Sequence, residues 1–417
     1  LRIGRSLKQA YKKAASSSLW TIVDANLTTL IAAIVLFIFG TSSVKGFATM
    51  LLLSILMSFV TAVFLTRVLM NLIVNSNYFN KKISWFGVKD KDRHSLSEGK
   101  DVQDLISIWD RFDFVKHSNK FFAFSSLMII VGIVILFIFK LNLGIDFTSG
   151  TRADIVTEGI ATEDEVSREL ENLDMTPEAL TESGDDTYVA RYSTDLSQEQ
   201  VTEMQNHFND VYGHEPMIST VSPTIGQELI QNAALALIIA SIGIIIYVSI
   251  RFEWRMAVPA VLALIHDVFI IIAVFSILRL EVDVTIIAAV LTIVGYSIND
   301  TIVTLDRIRE NNRKIKVYTS EEEINSIINR SLRQTTTRSI NTVLTVIIVV
   351  LFLVFFGAGS IFNFSLALLI GLISGVYSSF FIAIQLWGVL KRRQLRKNGG
   401  RLVVYKEKSK NDDKVVV

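Results

Sequence analysis

Long apolar segments dominate this chain and constrain its fold more than any other feature. They are Val23–Gly40, Phe47–Val74, Phe121–Phe139, Leu229–Ile250, Ala257–Leu280, Val284–Leu305, Ile340–Phe356 and Phe364–Leu390. A helix crosses about 30 Å of hydrocarbon with roughly 20 residues, and each segment approaches or exceeds that length. Hydrophobic residues make up 51% of the chain and charged residues 19%. The sequence therefore predicts a polytopic α-helical membrane protein with eight spans.

Lysine and arginine concentrate in alternate connections between these segments. The basic stretches are Arg2–Lys13, Lys81–Lys120, Arg251–Arg255, Arg307–Arg338 and the tail Lys391–Lys408. Because positively charged loops remain on the cytoplasmic side, we expect these stretches to be cytoplasmic. The other connections carry few cations, and the long acidic one, Asn142–Gln227, is predicted to be extracytoplasmic. The net charge of +1 gives no indication of a nucleic-acid partner.

The connection Asn142–Gln227 has its own pattern of short elements. An extended segment Gly144–Val156, a helix Thr162–Leu173, a strand Tyr188–Ser193, a helix Ser197–Tyr212 and a strand Met217–Val221 follow one another. This β-α-β-α-β series predicts a small α+β domain of the ferredoxin-like kind. The polar, Lys-rich segment 75–120 is predicted to be a cytoplasmic linker.

Two parts of the chain resemble each other at a constant spacing. Gly357 follows Gly40 by 317 residues, and the same spacing pairs Thr28 with Thr345, Phe39 with Phe356, Ser43 with Ser360, Phe47 with Phe364, Ser54 with Gly371, Ser58 with Gly375, and Thr61 with Ser378. Both copies run in the same direction, which is typical of parallel repeats in transporters. The counterpart of Asp300 would precede residue 1. We therefore expect a C-terminal part of a longer two-fold protein, lacking about four helices of its first half.

Asp300 is the leading candidate for a functional residue. It lies in an apolar segment beside Asn299, and helical spacing places Tyr296 and Thr304 on its face. A charged side chain at the centre of a membrane helix costs about 2.5–3.5 kcal/mol on insertion scales, so such residues usually have a function. We predict a proton relay. The alternatives are an interhelical hydrogen bond or a carboxylate that reaches the membrane surface.

Arg338 is the predicted partner of Asp300. It begins the next apolar helix, followed by Asn341, Thr342 and Thr345, and the two charged residues have similar predicted depths, so they can meet. Arginine stays protonated, so the proton affinity of a neighbouring aspartate depends on its distance from the guanidinium. The alternative is an arginine that snorkels to the surface.

Three further residues are secondary candidates. His266 and Asp267 lie inside one apolar segment, and structural hydrogen bonding is favoured over a functional network. Asp24 lies beside Asn26 and Thr28, where helix capping is the favoured interpretation. We expect no metal site from two side chains. The chain has no cysteine and no Walker A, G-x-S-x-G or HExxH pattern, so neither an enzyme nor a cofactor is predicted.

Several stretches together resemble the SecDF protein-export family. The stretches that resemble its SecF half are Gly295-Tyr-Ser-Ile-Asn-Asp-Thr-Ile-Val303 with Asp306-Arg-Ile-Arg-Glu-Asn311, Ala263-Leu-Ile-His-Asp-Val268 and Gly144-Ile-Asp-Phe-Thr148. The stretches that resemble the end of its SecD half are Asp24-Ala-Asn-Leu-Thr-Thr-Leu30 and Gly46-Phe-Ala48. Ser149 departs from the family, which usually has the first glycine of a Gly-Gly pair here.

The resemblance implies a helix bundle of the RND superfamily. It divides the chain into the last two SecD-like helices (1–74), the linker (75–120), the first SecF-like helix (121–141), the extracytoplasmic domain (142–227), a five-helix SecF-like bundle (228–390) and a basic tail (391–417). It also implies a multi-pass protein of a bacterial cytoplasmic membrane.

The resemblance further implies an accessory subunit that uses the proton motive force to promote preprotein translocation. Asp300 and Arg338, with Asn299 and Thr345, would belong to the proton pathway, and protons would be the coupling ion. The implied partners are the SecYEG translocon, unfolded preprotein on the extracytoplasmic side, YajC, a YidC-type insertase and the lipid bilayer. The alternatives are an RND-type exporter of small molecules or lipids, and a structural translocon partner without ion flux.

Overall fold

The computed structural model describes residues 1, 3–40, 42–76, 78–79, 82–88, 109–159, 161–182, 187–313, 315 and 317–403. The side chains of residues 17, 20, 21, 24, 25, 42, 43 and 360 are outside the description. Much of the predicted linker, residues 89–108, and the tail after residue 403 therefore lie outside the described residues.

Helices make up most of the described chain. In chain order, α1–α13 are Leu7–Phe39, Ser42–Ser58, Thr66–Asn75, Ser118–Phe139, Ile145–Thr148, Glu163–Asn172, Gln198–Tyr212, Pro223–Arg251, Trp254–Ile277, Val284–Asn312, Glu321–Phe356, Phe362–Ser378 and Ile384–Lys397. Strands β1–β8 are Asn142–Leu143, Gly150–Val156, Ala179–Glu182, Thr187–Tyr192, Met217–Val221, Glu281–Val282, Val317–Tyr318 and Leu402–Val403. π-Helical turns at Phe59–Leu65 and Ser379–Ala383 join α2 to α3 and α12 to α13.

The long apolar helices confirm a polytopic membrane fold. Within the described residues, seven helical stretches are long and apolar enough to span a bilayer. They are Val44–Asn75, Ser118–Phe139, Pro223–Arg251, Trp254–Ile277, Val284–Asn312, Glu321–Phe356 and Phe362–Lys397. The first of the eight predicted spans is represented by a shorter apolar helix, Asn26–Phe39, within α1.

The small domain contains one antiparallel sheet with strand order β3-β4-β2-β5. Together with α6 and α7 it follows the order β-α-β-β-α-β of ferredoxin-like domains. Ile155, Leu170, Met204 and Phe208 are fully buried between the sheet and the two helices. The sequence prediction missed β3, because this short edge strand is half exposed and shows no apolar alternation. It also missed the single-turn helix α5, inside the segment predicted to be extended.

The backbone repeats in the way that the spacing of 317 residues predicts. Gly40 caps the C-terminus of α1 and Gly357 that of α11. Both glycines are in extended conformation, and their N–H groups donate to the carbonyls of Leu36 and Leu353. Each copy then continues as a helix, a π-helical turn and a second helix. The second copy packs against α9 and α10, whereas the first contacts α10 through α1 and α2, and α8 through α1.

α10 lies at the centre of the bundle and contacts helices of both copies. Small residues permit these close approaches. A Cβ added to Gly371 would lie 2.5 Å from Ile293, and one added to Gly295 would lie 3.1 Å from the hydroxyl of Thr29. The loops gather at two opposite ends: β1 pairs with β6 beside the small domain, and β7 pairs with β8 at the other end. We call these the domain end and the basic end.

Ser149 adopts a backbone conformation that favours glycine, with φ 66° and ψ 168°. Residues other than glycine rarely occupy this region, and the strain is on the order of 1–3 kcal/mol. The next residue, Gly150, has φ 115° and lies so close to strand β4 that an added Cβ would lie 2.0 Å from the carbonyl oxygen of Tyr192. The structure thus shows why a glycine pair suits this corner.

Candidate functional site

Asp300 lies on the face of α10 that looks toward α11 and α12. Its Oδ1 accepts a hydrogen bond from the hydroxyl of Ser339 on α11. Its Oδ2 is buried and has no hydrogen-bond partner in the described part of the chain, and the same holds for the side-chain oxygen of Asn299. An unpaired buried polar atom costs about 1–3 kcal/mol. The two orphaned acceptors therefore mark a place suited to a proton or a water molecule.

A small cavity adjoins these two acceptors. Its volume is about 30 Å³, and its walls include Tyr296, Ser297, Thr342 and Gly375 besides Asn299 and Asp300. A water molecule needs about 10–15 Å³ of such space together with polar partners. Both conditions are met here. We call Asp300, Asn299, Ser339 and this cavity the Asp300 site.

Arg338 and Thr345 are not in contact with Asp300. Arg338 is exposed, and within the described residues no hydrogen bond or ion pair joins it to the carboxylate. Its charge acts on Asp300 only through a longer-range Coulombic interaction. The predicted direct meeting is therefore absent, because Arg338 and Ser339 are neighbours on α11 and only Ser339 faces α10. Thr345 is exposed and donates to the carbonyl of Thr342 instead.

Asp267 occupies a denser polar environment than its sequence context indicated. Only 1% of its surface is exposed. Its carboxylate accepts hydrogen bonds from Ser297 on α10 at 2.7 Å and from Ser374 and Ser378 on α12 at 2.6 and 2.8 Å. His266 Nδ1 lies 3.3 Å from Oδ1. We call Asp267 and the three serines the Asp267 cluster; it joins three helices.

The Asp267 cluster and the Asp300 site share residues of α10. Ser297 donates to Asp267 and also lines the Asp300 cavity. Thr301, next to Asp300, lies 2.8 Å from the hydroxyl of Ser379, and Ser379 also donates to the backbone carbonyl of Ser297 at 3.4 Å. The sequence prediction assigned no hydrogen bonds between helices to these hydroxyl groups. The sequence pattern that could have indicated them is small or hydroxyl-bearing residues spaced four apart in an apolar helix, as in Gly371, Gly375 and Ser379 or in Ser374 and Ser378.

The capping interpretation of Asp24 is wrong. α1 runs without interruption from Leu7 to Phe39 and is capped by Ser6, so Asp24 is in the middle of this helix rather than at an end. Nothing more is described of its side chain. In the described part of the chain, no group of three or more His, Asp or Glu side chains is placed to hold a metal ion.

A charged junction joins the small domain to the start of α10. Arg152 on β2 contacts Glu281 on β6 at 2.8 Å and Asp154 at 2.7 Å. Asp283 caps α10 by accepting from two backbone N–H groups, and Asp146 accepts from the N–H of Val284 at 3.0 Å. Burial raises the pKa of both Glu281 and Asp283, although Arg152 partly offsets it. The domain is thus attached to the helix that carries Asp300.

Comparison with known proteins gives a consistent assignment. The family profile described as "Protein export membrane protein SecD/SecF, C-terminal" matches residues 200–393, and the "SecD/SecF GG Motif" profile matches residues 134–158. The chain is 51% identical to the protein translocase subunit SecDF of Bacillus subtilis over 403 residues, which is 96% of this chain and 54% of that protein.

Two further relatives define how much of the family is present. The protein translocase subunit SecF of Alicyclobacillus acidocaldarius is 39% identical over 69% of this chain and 95% of its own length. The crystal structure of SecDF from Thermus thermophilus, a translocon-associated membrane protein, superposes with a TM-score of 0.75 at 30% identity, over 94% of this chain and 50% of that one. The chain thus spans about half the length of its SecDF relatives and almost a whole SecF.

Proposed function

The chain belongs to the SecD/SecF family of protein-export membrane proteins, and we propose that it promotes preprotein translocation across the cytoplasmic membrane by using the proton motive force. Protons are the coupling ion in this proposal, and the residues perform no covalent chemistry. Asp300 binds and releases the proton. Ser339 holds one carboxylate oxygen while the other remains available.

The orphaned Oδ2 of Asp300 is the observation that carries the proposal. A carboxylate whose oxygens all accept hydrogen bonds is stabilised in its ionised form and resists protonation. A buried, unpaired oxygen beside a polar cavity instead gains a partner when it is protonated or hydrated. Arg338 adds a positive charge that acts at a distance rather than through a direct pair. Its effect on Asp300 then varies with the separation of α10 and α11.

We further propose that the small domain passes movement of α10 to the extracytoplasmic side. β6 and the N-terminus of α10 contact this domain through Arg152 and Asp146, so a tilt of α10 moves its contact surface. The proposed partners are the SecYEG translocon and unfolded preprotein, with YajC and a YidC-type insertase as further candidates.

The test is preprotein translocation into inverted membrane vesicles that carry the full protein, with and without a proton gradient. Asp300→Asn keeps the size and hydrogen bonding of the side chain but cannot exchange a proton, so we expect loss of the gradient-dependent stimulation. Asp210→Asn, an equivalent change on an exposed face of α7, serves as the matched control. Normal stimulation in an inserted Asp300→Asn protein would overturn the relay and favour a structural partner without ion flux.

A further inference from the structure

We propose that Asp267 is a positioning residue for Asp300. Its carboxylate fixes Ser297, and with it the rotation of α10 against α12, so that the free oxygen of Asp300 faces the cavity. This inference rests on the proposed function for the role of Asp300. Its structural part, the orientation of Asp300, can be measured without any transport assay.

The hydrogen bonds of Asp267 define a specific arrangement of three helices. An ionised carboxylate only accepts hydrogen bonds, at about four lone-pair sites. Hydroxyls of Ser297, Ser374 and Ser378 supply three donors at 2.6–2.8 Å, and His266 is the titratable neighbour at 3.3 Å. Charge-assisted hydrogen bonds are roughly twice as strong as neutral ones. The cluster therefore holds α9, α10 and α12 in one relative rotation.

The arrangement reaches Asp300 along α10 itself. Ser297 precedes Asp300 by three residues, which places it about one turn away on the neighbouring part of the helix surface. Gly375 approaches Ser297 so closely that an added Cβ would lie 3.1 Å from the serine side chain. Thr301 and Ser379 repeat the contact between the two elements one turn further on. Rotation of α10 by a few degrees would therefore disturb both contacts and move Oδ2 of Asp300.

The charged and titratable groups around the two aspartates are few. His266 lies beside Asp267, and 6.1 Å separates the centre of its ring from that of Tyr377. Tyr296 and the distant Arg338 are the corresponding groups around Asp300. Asp267→Asn also removes a carboxylate whose charge would act on Asp300 through space, so a change in the proton affinity of Asp300 reports geometry alone only in a variant that keeps the carboxylate of Asp267.

The experiment measures the protonation of Asp300 directly. Infrared difference spectra of the full protein in nanodiscs are recorded as a function of pH, and the carboxylic-acid C=O band that Asp300→Asn removes is assigned to Asp300. In Asp267→Asn we expect the midpoint of that band to shift by about one pH unit or more. Gradient-dependent export should fall about tenfold, as expected for a displaced reacting group.

Two variants separate positioning from a merely structural role. Ser374→Ala keeps the carboxylate but removes one donor, and should shift the Asp300 midpoint in the same direction by a smaller amount. Thr292→Val removes a buried hydroxyl of α10 that donates only within its own helix, and should shift nothing. If Asp267→Asn does not fold, Ser374→Ala decides the question.

Two results would overturn the proposal. An unchanged Asp300 midpoint in a folded Asp267→Asn or Ser374→Ala protein would show that the cluster does not position Asp300. Loss of a second carboxylic-acid band in Asp267→Asn would show that Asp267 itself exchanges a proton. A normal export response of Asp300→Asn contradicts the proposed function alone, since the infrared midpoint remains a valid measure of position.

Discussion

The two copies of the internal repeat have the same backbone course but very different surroundings. In the first copy, α2 exposes Met50, Leu53, Leu56 and Met57, each more than half exposed in the described part. In the second copy, α12 buries Gly371, Ser374, Gly375 and Ser378 against α9 and α10. The spacing of 317 residues pairs Met57 with Ser374 and Thr61 with Ser378.

This contrast shows that the repeat determines the backbone course, whereas individual side chains determine which copy takes part in the candidate site. Thr61 donates to the carbonyl of Met57 in its own helix, whereas Ser378 donates to Asp267 on another helix. The second copy is also tied to the domain end. Asn363 near the start of α12 donates to the carbonyl of Glu281. A Cβ added to the equivalent residue of the first copy, Gly46, would meet open space.

A substitution in the charged junction that includes Glu281 should give the largest effect on stability. Arg152→Met removes the cation that neutralises Glu281 and Asp154, and loss of one partner of a largely buried pair costs on the order of 3 kcal/mol. We expect a drop of several degrees in the unfolding temperature of the purified protein in detergent. Arg168→Met, at an exposed position of α6, should change stability by less than about 0.5 kcal/mol. Equal effects of the two changes would show that the junction is dispensable.

Paired substitutions at equivalent repeat positions test the packing contrast directly. Gly371→Leu forces a side chain into the 2.5 Å gap against Ile293, and overpacking costs about 1–3 kcal/mol. Ser54→Leu makes the same change at the exposed counterpart in α2 and should be nearly neutral. The measurement is the unfolding temperature and the monodisperse yield of both variants. Similar losses for both would mean that the first copy also packs tightly.

Sequence reasoning predicted the helices well because long apolar runs have few alternatives in a membrane. It also predicted the repeat, since its glycines and aromatic residues keep their spacing. Asp300 was found because a carboxylate in an apolar helix is conspicuous. The residues that surround Asp300 were not predicted correctly. Whether Ser339 or Arg338 faces Asp300 depends on the rotation of α11 about its axis, and the sequence does not determine that rotation to within one residue.

The importance of Asp267 could not be read from its own segment. Its three donors come from positions 30, 107 and 111 residues away, and each serine alone resembles an ordinary small packing residue. The edge strand β3 was missed for a related reason. Its pairing with β4 is decided by the chain that lies beside it, and its own four residues carry no distinct pattern.

Substitutions near the start of α12 and of α2 should change stability by a smaller amount. Asn363→Ala removes the hydrogen bond from its side chain to the carbonyl of Glu281, 3.1 Å long, which is worth about 0.5–1.5 kcal/mol. Gly46→Ala places a methyl group in open space within α2 and should be neutral or stabilising by up to about 1 kcal/mol. We expect Asn363→Ala to lower the unfolding temperature and Gly46→Ala to leave it unchanged or raise it. A loss of stability in both variants would contradict the one-sided attachment to the domain.

The smallest effect concerns the pH dependence of this attachment. The pKa of Glu281 is raised above its ordinary value of 4.5, mainly by burial and against the influence of Arg152. A carboxyl group with a raised pKa binds its proton more tightly in the folded protein, so its contribution to stability is present at low pH and is lost as the pH rises through the folded pKa.

Glu281→Gln cannot titrate. The unfolding temperature of this variant should therefore fall less than that of the unsubstituted protein as the pH rises from about 4.5 to 7.5. Asp283, whose pKa is also raised by burial, should preserve part of the slope. Glu182→Gln, at an exposed position of β3, controls for the removal of one negative charge. A slope unchanged by Glu281→Gln would mean that folding does not shift the pKa of Glu281, and that only the polar contacts distinguish the second copy from the first at this end.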